Sequence, residues 1–348
     1  MSMILLAWAL VRFLEWRRYR DDQPVRDAIM AGQRPNVVKA HDHWYEILAF
    51  VAVWLEIALL AGACRLWPNP AVVLVAAIFI GGRLRVLQEI GHTALHMGFG
   101  ADRPLQFRIA DYLGNFATFR ADSTTRYQSH CVAHHPHAAT EQDPNVARLR
   151  RIGLVPGISP ARFWLLFFHP LTPTGLVETL TIMRDGTRSS HGRMARLWVN
   201  GLLLATLYLG AGAPALWAYL LGLLVFYPLY SWWSLLVEHR WFAPHEPGAE
   251  DKAEHDQNVT QRTEYGRLNG VLMRILVCPL TDSYHLLHHL HPRLHWKYSA
   301  AADQALSQTD ALYAVNKSQG FVFGRSGPRS AINDLYHRLV TKDAPNGI

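Results

Sequence analysis

The chain has 348 residues, of which 50% are hydrophobic and only 18% charged, with 12 Trp, 13 Tyr and 14 Phe and a formal net charge of +7. So few charges beside so many aromatics argue against an ordinary soluble enzyme and for contact with a membrane interface. The three cysteines, Cys64, Cys131 and Cys278, are scattered and form no CxxC pair, so they point to neither a disulfide framework nor a Cys-ligated metal site.

The opening stretch, MSMILLAWALVRFLEWRRYR, holds an apolar run too short to span a bilayer, which takes about 20 residues. It lacks the basic start and small-residue cleavage site of a secretory signal. It reads as an interfacial amphipathic helix with Trp8, Phe13 and Trp16 at headgroup depth, and with a polar linker it fills residues 1–44. Spanning helices are predicted at about 47–66, 71–90, 197–213 and 215–237, separated by turns rich in Pro and Gly. Glu56, inside the first, should face the protein interior, and Arg83 and Arg85 should snorkel to the interface. Residues 161–176 are aromatic but broken by Pro170 and Pro173, which predicts a segment lying on the membrane. Residues 243–262 read as an exposed acidic loop and 305–348 as a soluble C-terminal tail.

The Lys and Arg residues orient the chain. There are 7 before residue 47, 1 at 65–70, 14 from 83 to 196, none at 211–216 and 12 after 237. The positive-inside rule then puts both termini and the long middle region in the cytosol. Topology and anionic lipid account for the basic balance, which leaves no call for nucleic acid.

Three histidine clusters fall on that same side: HTALH at 92–96, HCVAHH at 130–135 and YHLLHHLHP at 284–292. On a helix, residues three and four apart share a face, so His285 can meet His288 and His289 there. The clusters hold His92 and His96; His130, His134 and His135; His285, His288 and His289. His239, at the foot of the fourth predicted span, makes a ninth. One tetrahedral zinc takes four ligands. Nine imidazoles fill the shells of two metals, and redox iron tolerates such shells while leaving a position open to oxygen. HTALH also lacks the Glu of HExxH, which disfavours a zinc hydrolase.

With these motifs in this order, the chain resembles the membrane fatty acid desaturase and hydroxylase superfamily over roughly residues 45–304. EQDPN at 141–145 resembles the acidic sequence after that family's second box, and Tyr298 with Ala300–Ala302 its exit helix. The resemblance implies an all-α integral membrane protein with four transmembrane helices and a cytosolic helical cap carrying the boxes. It implies a non-haem di-iron centre on the nine histidines, dioxygen as co-substrate, and a lipid or acyl substrate that is desaturated, with hydroxylation or ketolation as the alternative. A departure is Leu235 where the family has an Asn; Glu238 or Asp282 is the expected substitute. With no haem motif and no CxxC, electrons are expected from a separate ferredoxin, rubredoxin or small cytochrome.

Around the boxes, Glu89 and Asp143 are expected to orient ligand rings, and His137, His291 and His295 to act as nearby donors. Arg126, Arg148, Arg150 and Arg151 read as a solvated or lipid-facing basic patch, with an anionic acyl carrier as the alternative. His41, His43, His169, His191, His245, His255 and His337 read as solvated or interfacial.

Overall fold

The structure, a computed structural model, describes residues 1–35, 42–188, 192–243, 251–323 and 329–340. Helices α1 (Ser2–Tyr19) and α2 (Gln23–Met30) precede α3 (Asp42–Leu66) and α4 (Pro70–Leu95). Short helices α5 (Arg103–Ala110), α6 (Ser123–Tyr127), α7 (Pro144–Ile152) and α8 (Pro160–Phe167) lead to α9 (Pro173–Arg188). Then come α10 (Arg193–Leu221), a π-turn at Gly222–Phe226, α11 (Tyr227–Glu238), α12 (Lys252–Val259), α13 (Arg267–Leu276) and α14 (His285–Leu290). Among the described residues the protein is helical as expected, apart from one parallel pair of short strands, Arg262–Glu264 with Lys317–Gln319.

Among the described residues, three helices are long and apolar enough to cross a membrane: Asp42–Leu66, Pro70–Leu95 and the 46-residue Arg193–Glu238. The first two are joined by a tight turn in which the Asn69 side chain accepts the Val72 N–H at 3.0 Å and Pro70 opens α4. The sequence places two spans where the third of these stands. Gly212 breaks it: its φ of 83° and ψ of 177° suit glycine and are not helical, and Pro214 follows. Asn200 donates to the Phe116 carbonyl at 2.9 Å and Tyr219 to the Ala117 carbonyl at 3.1 Å. On a straight helix those two residues would stand roughly 28 Å apart. The chain therefore doubles back at Gly212, and its two arms lie side by side.

The arms pack on α3 and α4 around Phe50, Ile57, Ile80, Leu84 and Tyr219, all fully buried. At Gly222 a Cβ would lie 2.8 Å from Ile80 Cγ2 and 3.1 Å from the Ala77 carbonyl, so only glycine allows this approach. The charges inside the bundle are paired. Glu56 faces inward as expected, accepting from Trp8 at 2.8 Å, Arg12 at 2.6 Å and Arg83 at 2.7 Å. This ties α1 along α3, a closer association than an isolated interfacial helix would make. Arg83 and Arg85 do not snorkel: Arg83 turns to Glu56, and fully buried Arg85 donates to Glu89 at 3.0 Å and to Asp282. Carboxylates on α3, on α4 itself and in the turn at 280–284 make the inward route better than the interface.

Around residues 161–176 the chain does break at its prolines, into α8, a turn at 169–171 and α9, with Trp164, Leu165, Phe168 and Leu171 exposed. The described part of 305–348 packs into the body: Ile332, Leu335 and Leu339 of the helix Ala331–Val340 are fully buried in a cluster with Trp232 and Trp241. The acidic loop also differs from expectation. Asp251 caps α12, and Asp256 within it is 2% exposed.

Candidate metal centre

The nine histidines converge from four segments. His92 lies in the last turn of α4, and His96 caps it one turn on. Gln128–His134 is π-helical, so residues five apart line up, and His130 and His135 face the same way. His285 to His289 lie on α14. His239 is not helical: it follows α11 in extended conformation (φ −131°, ψ 160°) and bridges to Thr260.

The rings form two groups whose ligand atoms lie within 4.8 Å of one another: His92, His96, His130, His135 and His288 in one, His134, His239, His285 and His289 in the other. In the first, Nε2 of His130 lies 2.6 Å from Nε2 of His92 and 3.0 Å from that of His135, which is 3.2 Å from that of His288. In the second, His239 Nε2 lies 3.2 Å from His134 Nε2 and 3.1 Å from His285 Nε2. Metal–imidazole bonds of about 2.1 Å would place ligand nitrogens about 3 to 4 Å apart, so each set is spaced for one ion. His289 is buried with Nε2 bonded to nothing, an orphaned atom that an ion in the second group would satisfy. Burial pushes His96, His130, His135, His239, His285, His288 and His289 well below the ordinary histidine range. They are therefore neutral, the form that ligates. The donor set fits metal.

Adjacent residues diverge between the groups. His134 and His135 part, and so do His288 and His289, because successive residues on α14 point about 100° apart. So His285 shares a group with His289 but not with His288.

Carboxylates hold the rings from behind, as expected of Glu89 and Asp143. Glu89 Oε2 lies 2.9 Å from His92 Nδ1, and Asp143 Oδ2 lies 2.9 Å from His134 Nδ1. The sequence reading missed one more carboxylate and a hydroxyl beside the rings. Asp256 Oδ1 lies 3.4 Å from His289 Nδ1, and Thr260 Oγ1 lies 3.3 Å from His239 Nδ1. Nothing local to the histidines marks either, since both reach the centre only through α12 and its exit. Asp282 accepts from Arg85, the one Ser234 hydroxyl lies between Glu238 at 2.8 Å and Asp282 at 2.9 Å, and Glu238 lies 4.0 Å from His285 Nε2.

The flanking histidines stay outside both groups. His295 is buried against Glu46 and stacks on Tyr19 at 4.2 Å, joining α1 to α3; His137 and His291 are part-exposed. His169, read as solvated or interfacial, is 4% exposed and lies 3.1 Å from Glu178. His255 bonds the Ala138 carbonyl at 3.0 Å, and His43 and His337 are part-exposed. His41, His191 and His245 lie outside the described residues. The four arginines do not form one patch: Arg148 and Arg151 pair with Glu178, Arg150 pairs with Glu141, and Arg126 turns in to Asn115.

A helical protein with three membrane-length apolar helices and a buried histidine cluster able to hold metal is the class that this fold and site define. Residues 67–320 match the fatty acid desaturase family, and the chain belongs to it. A similar protein is the dihydrorhizobitoxine desaturase of Bradyrhizobium elkanii, 25% identical over 276 residues, with 76% of each chain covered.

Proposed function

We propose that this chain is a di-iron membrane oxidoreductase that desaturates an acyl chain, with dioxygen as co-substrate and electrons from a separate carrier. The pair of adjacent histidine groups, five rings and four, carries the reading. An all-imidazole donor set suits iron, and two groups imply two ions. The nine histidines are their ligands in this reading. Bound iron would supply oxygen activation and hydrogen removal from an unactivated C–H bond. The reaction balances as –CH2–CH2– plus O2, two electrons and two protons, giving –CH=CH– and two waters. The similar protein's name favours this outcome over hydroxylation.

The protein's own groups prepare that chemistry. Glu89, Asp143 and Thr260 hold three of the ligand rings by their Nδ1 atoms, which fixes the nitrogen turned to the ion, and Asp256 lies 3.4 Å from Nδ1 of a fourth, His289. Burial holds His239 and His289 well below the ordinary histidine range and so keeps them neutral. A ferredoxin, rubredoxin or small cytochrome would deliver electrons on the basic, cytosolic side. The reversal at Gly212 supports four crossings, and the Lys and Arg count supports both termini and the centre on the cytosolic side.

Iron analysis of the purified protein and mass spectrometry of lipids from cells with and without it test the proposal together. Two irons per chain and a product lighter by two hydrogens are expected. A product heavier by one oxygen would make the protein a hydroxylase, and zinc alone would overturn the redox reading.

A further inference from the structure

The third histidine cluster rests on a part of the chain that lies outside the family match. That match begins at residue 67, and the cluster falls within it at 285–289. Helix α14, which carries His285, His288 and His289, has only six residues. Helices shorter than about 12 residues are marginal by themselves, so its neighbours must hold it in place. Between the ligand rings stand Leu286 and Leu287, both fully buried. They share one apolar cluster with Leu294, Tyr298 and Ala302 from the stretch that follows, and with Tyr19, Val25 and Ile29 from the first thirty residues.

That N-terminal segment is itself pinned. On α1, Trp8 and Arg12 bond Glu56, and Arg18 donates to Asp42 at 3.0 and 2.6 Å; both acids belong to α3. The opposite face of α1 is apolar, with Met3, Leu6, Leu10 and Phe13 exposed at helical spacing, as suits a helix turned to lipid. On α2, Arg26 donates at 2.8 Å to Gln304 of helix α15 (Ser299–Thr309), which follows the third cluster.

Tyr19, the last residue of α1, is where this segment meets the stretch after α14. Its ring stacks on His295, with centroids 4.2 Å apart and planes 19° from parallel. It meets Tyr45 and Tyr298 edge-on at 5.9 and 5.8 Å, a favourable aromatic geometry. His295 Nε2 lies 2.5 Å from Glu46 Oε1, and Trp296 donates to the same carboxylate at 3.2 Å. The Tyr19 hydroxyl is buried without a hydrogen-bond partner among the described residues, so the ring alone makes these contacts.

We propose that Tyr19 is a positioning residue of the metal centre. With Val25 and Ile29 it fixes the placement of α14, and so the aim of His285 and His289 in one group and of His288 in the other. A short helix that supplies rings to both groups passes any shift to both. This rests on the histidines' role as metal ligands in the proposed function, and not on the reaction they serve.

Cobalt(II) titration of the metal-stripped full-length protein in detergent tests it, because visible cobalt bands report ligand geometry as well as occupancy. Tyr19→Ala should bind cobalt about tenfold more weakly and with shifted bands. Tyr19→Phe, which keeps the ring, should match the wild type in both. Ile57→Ala, in the core between α3 and α4, should lower the melting temperature and leave affinity and bands unaltered. Wild-type affinity and bands in Tyr19→Ala, an equal loss in Ile57→Ala, or a loss in Tyr19→Phe like that of alanine would overturn the proposal. Should Tyr19→Ala fail to fold, Ile29→Val carries the test: cobalt binding weaker by a few-fold is expected, and unaltered binding would overturn it. A wild-type chain that takes up no cobalt would sink the ligand reading and this proposal with it, whereas wild-type uptake that these variants leave unaltered would sink the positioning alone.

Discussion

Asp143 Oδ2 lies 2.9 Å from His134 Nδ1 and accepts the Ala139 N–H at 2.8 Å, while Oδ1 of the same carboxylate caps α7 through Asn145 at 2.8 Å. One side chain thus holds a ring of the four-histidine group, the turn after it and the next helix. Asp143→Ala should weaken metal binding in the four-histidine group by about 10- to 100-fold and also lower thermal stability. Asp143→Asn keeps a cap, so it should separate the two effects, losing metal affinity with little loss of stability. Competition with a chelator and a melting curve measure them; unchanged affinity in both variants would remove Asp143 from the centre.

His288 and His289 belong to different groups, so their alanine variants should not be alike in the metal they lose. Each should retain about half the iron and no turnover, with iron spectra that differ according to which ion remains. Membrane insertion should be intact, because both residues follow the last apolar helix. Identical residual spectra would contradict the division into two groups.

His239 stands alone in sequence yet meets His134 and His285 at 3.2 and 3.1 Å. His239→Ala should empty the four-histidine group and lower activity by orders of magnitude, with the other ion still bound. Gln in its place offers no good iron ligand and should fare no better. Wild-type iron content and rate in His239→Ala would exclude it as a ligand.

The reversal at Gly212 predicts topology. A reporter inserted at Ala211–Ala213 should read as external, and one fused after Ile348 as cytosolic. Cytosolic readings at both points would mean that the two arms return without crossing.

The metal-free protein should lose stability on acidification. Seven of the buried histidines are held well below their ordinary range by desolvation, whereas in the unfolded chain they protonate near pH 6.5. The unfolded state then binds more protons below that pH, so stability is complete above it and falls as pH drops towards the folded values. Melting temperature of the metal-stripped protein should decline steadily from pH 7.5 to 5.5. A flat profile would show that the rings already protonate in the folded state.

The histidine clusters were legible because ligation demands a donor type at close spacing, and Glu89 and Asp143 because they lie near those clusters in sequence. Asp256 was not, since a loop-like acidic stretch shows no sign of the α12 fold that turns it under His289. Nor were the inward turns of Arg83 and Arg85, which depend on Glu56, Glu89 and Asp282 meeting them, two of these from other segments. The Gly and Pro near 212 did mark a break, but not that Asn200 and Tyr219 would end on neighbouring carbonyls.

Segments 130–135 and 285–289 each supply rings to both groups. One added or deleted residue inside either segment would hand a ring to the wrong partner and damage both at once. Neither half can be lost, borrowed or refined without the other, so the centre passes between descendants as one indivisible unit. Spacing within these two stretches is the trait to hold rigid when tracing remote kin.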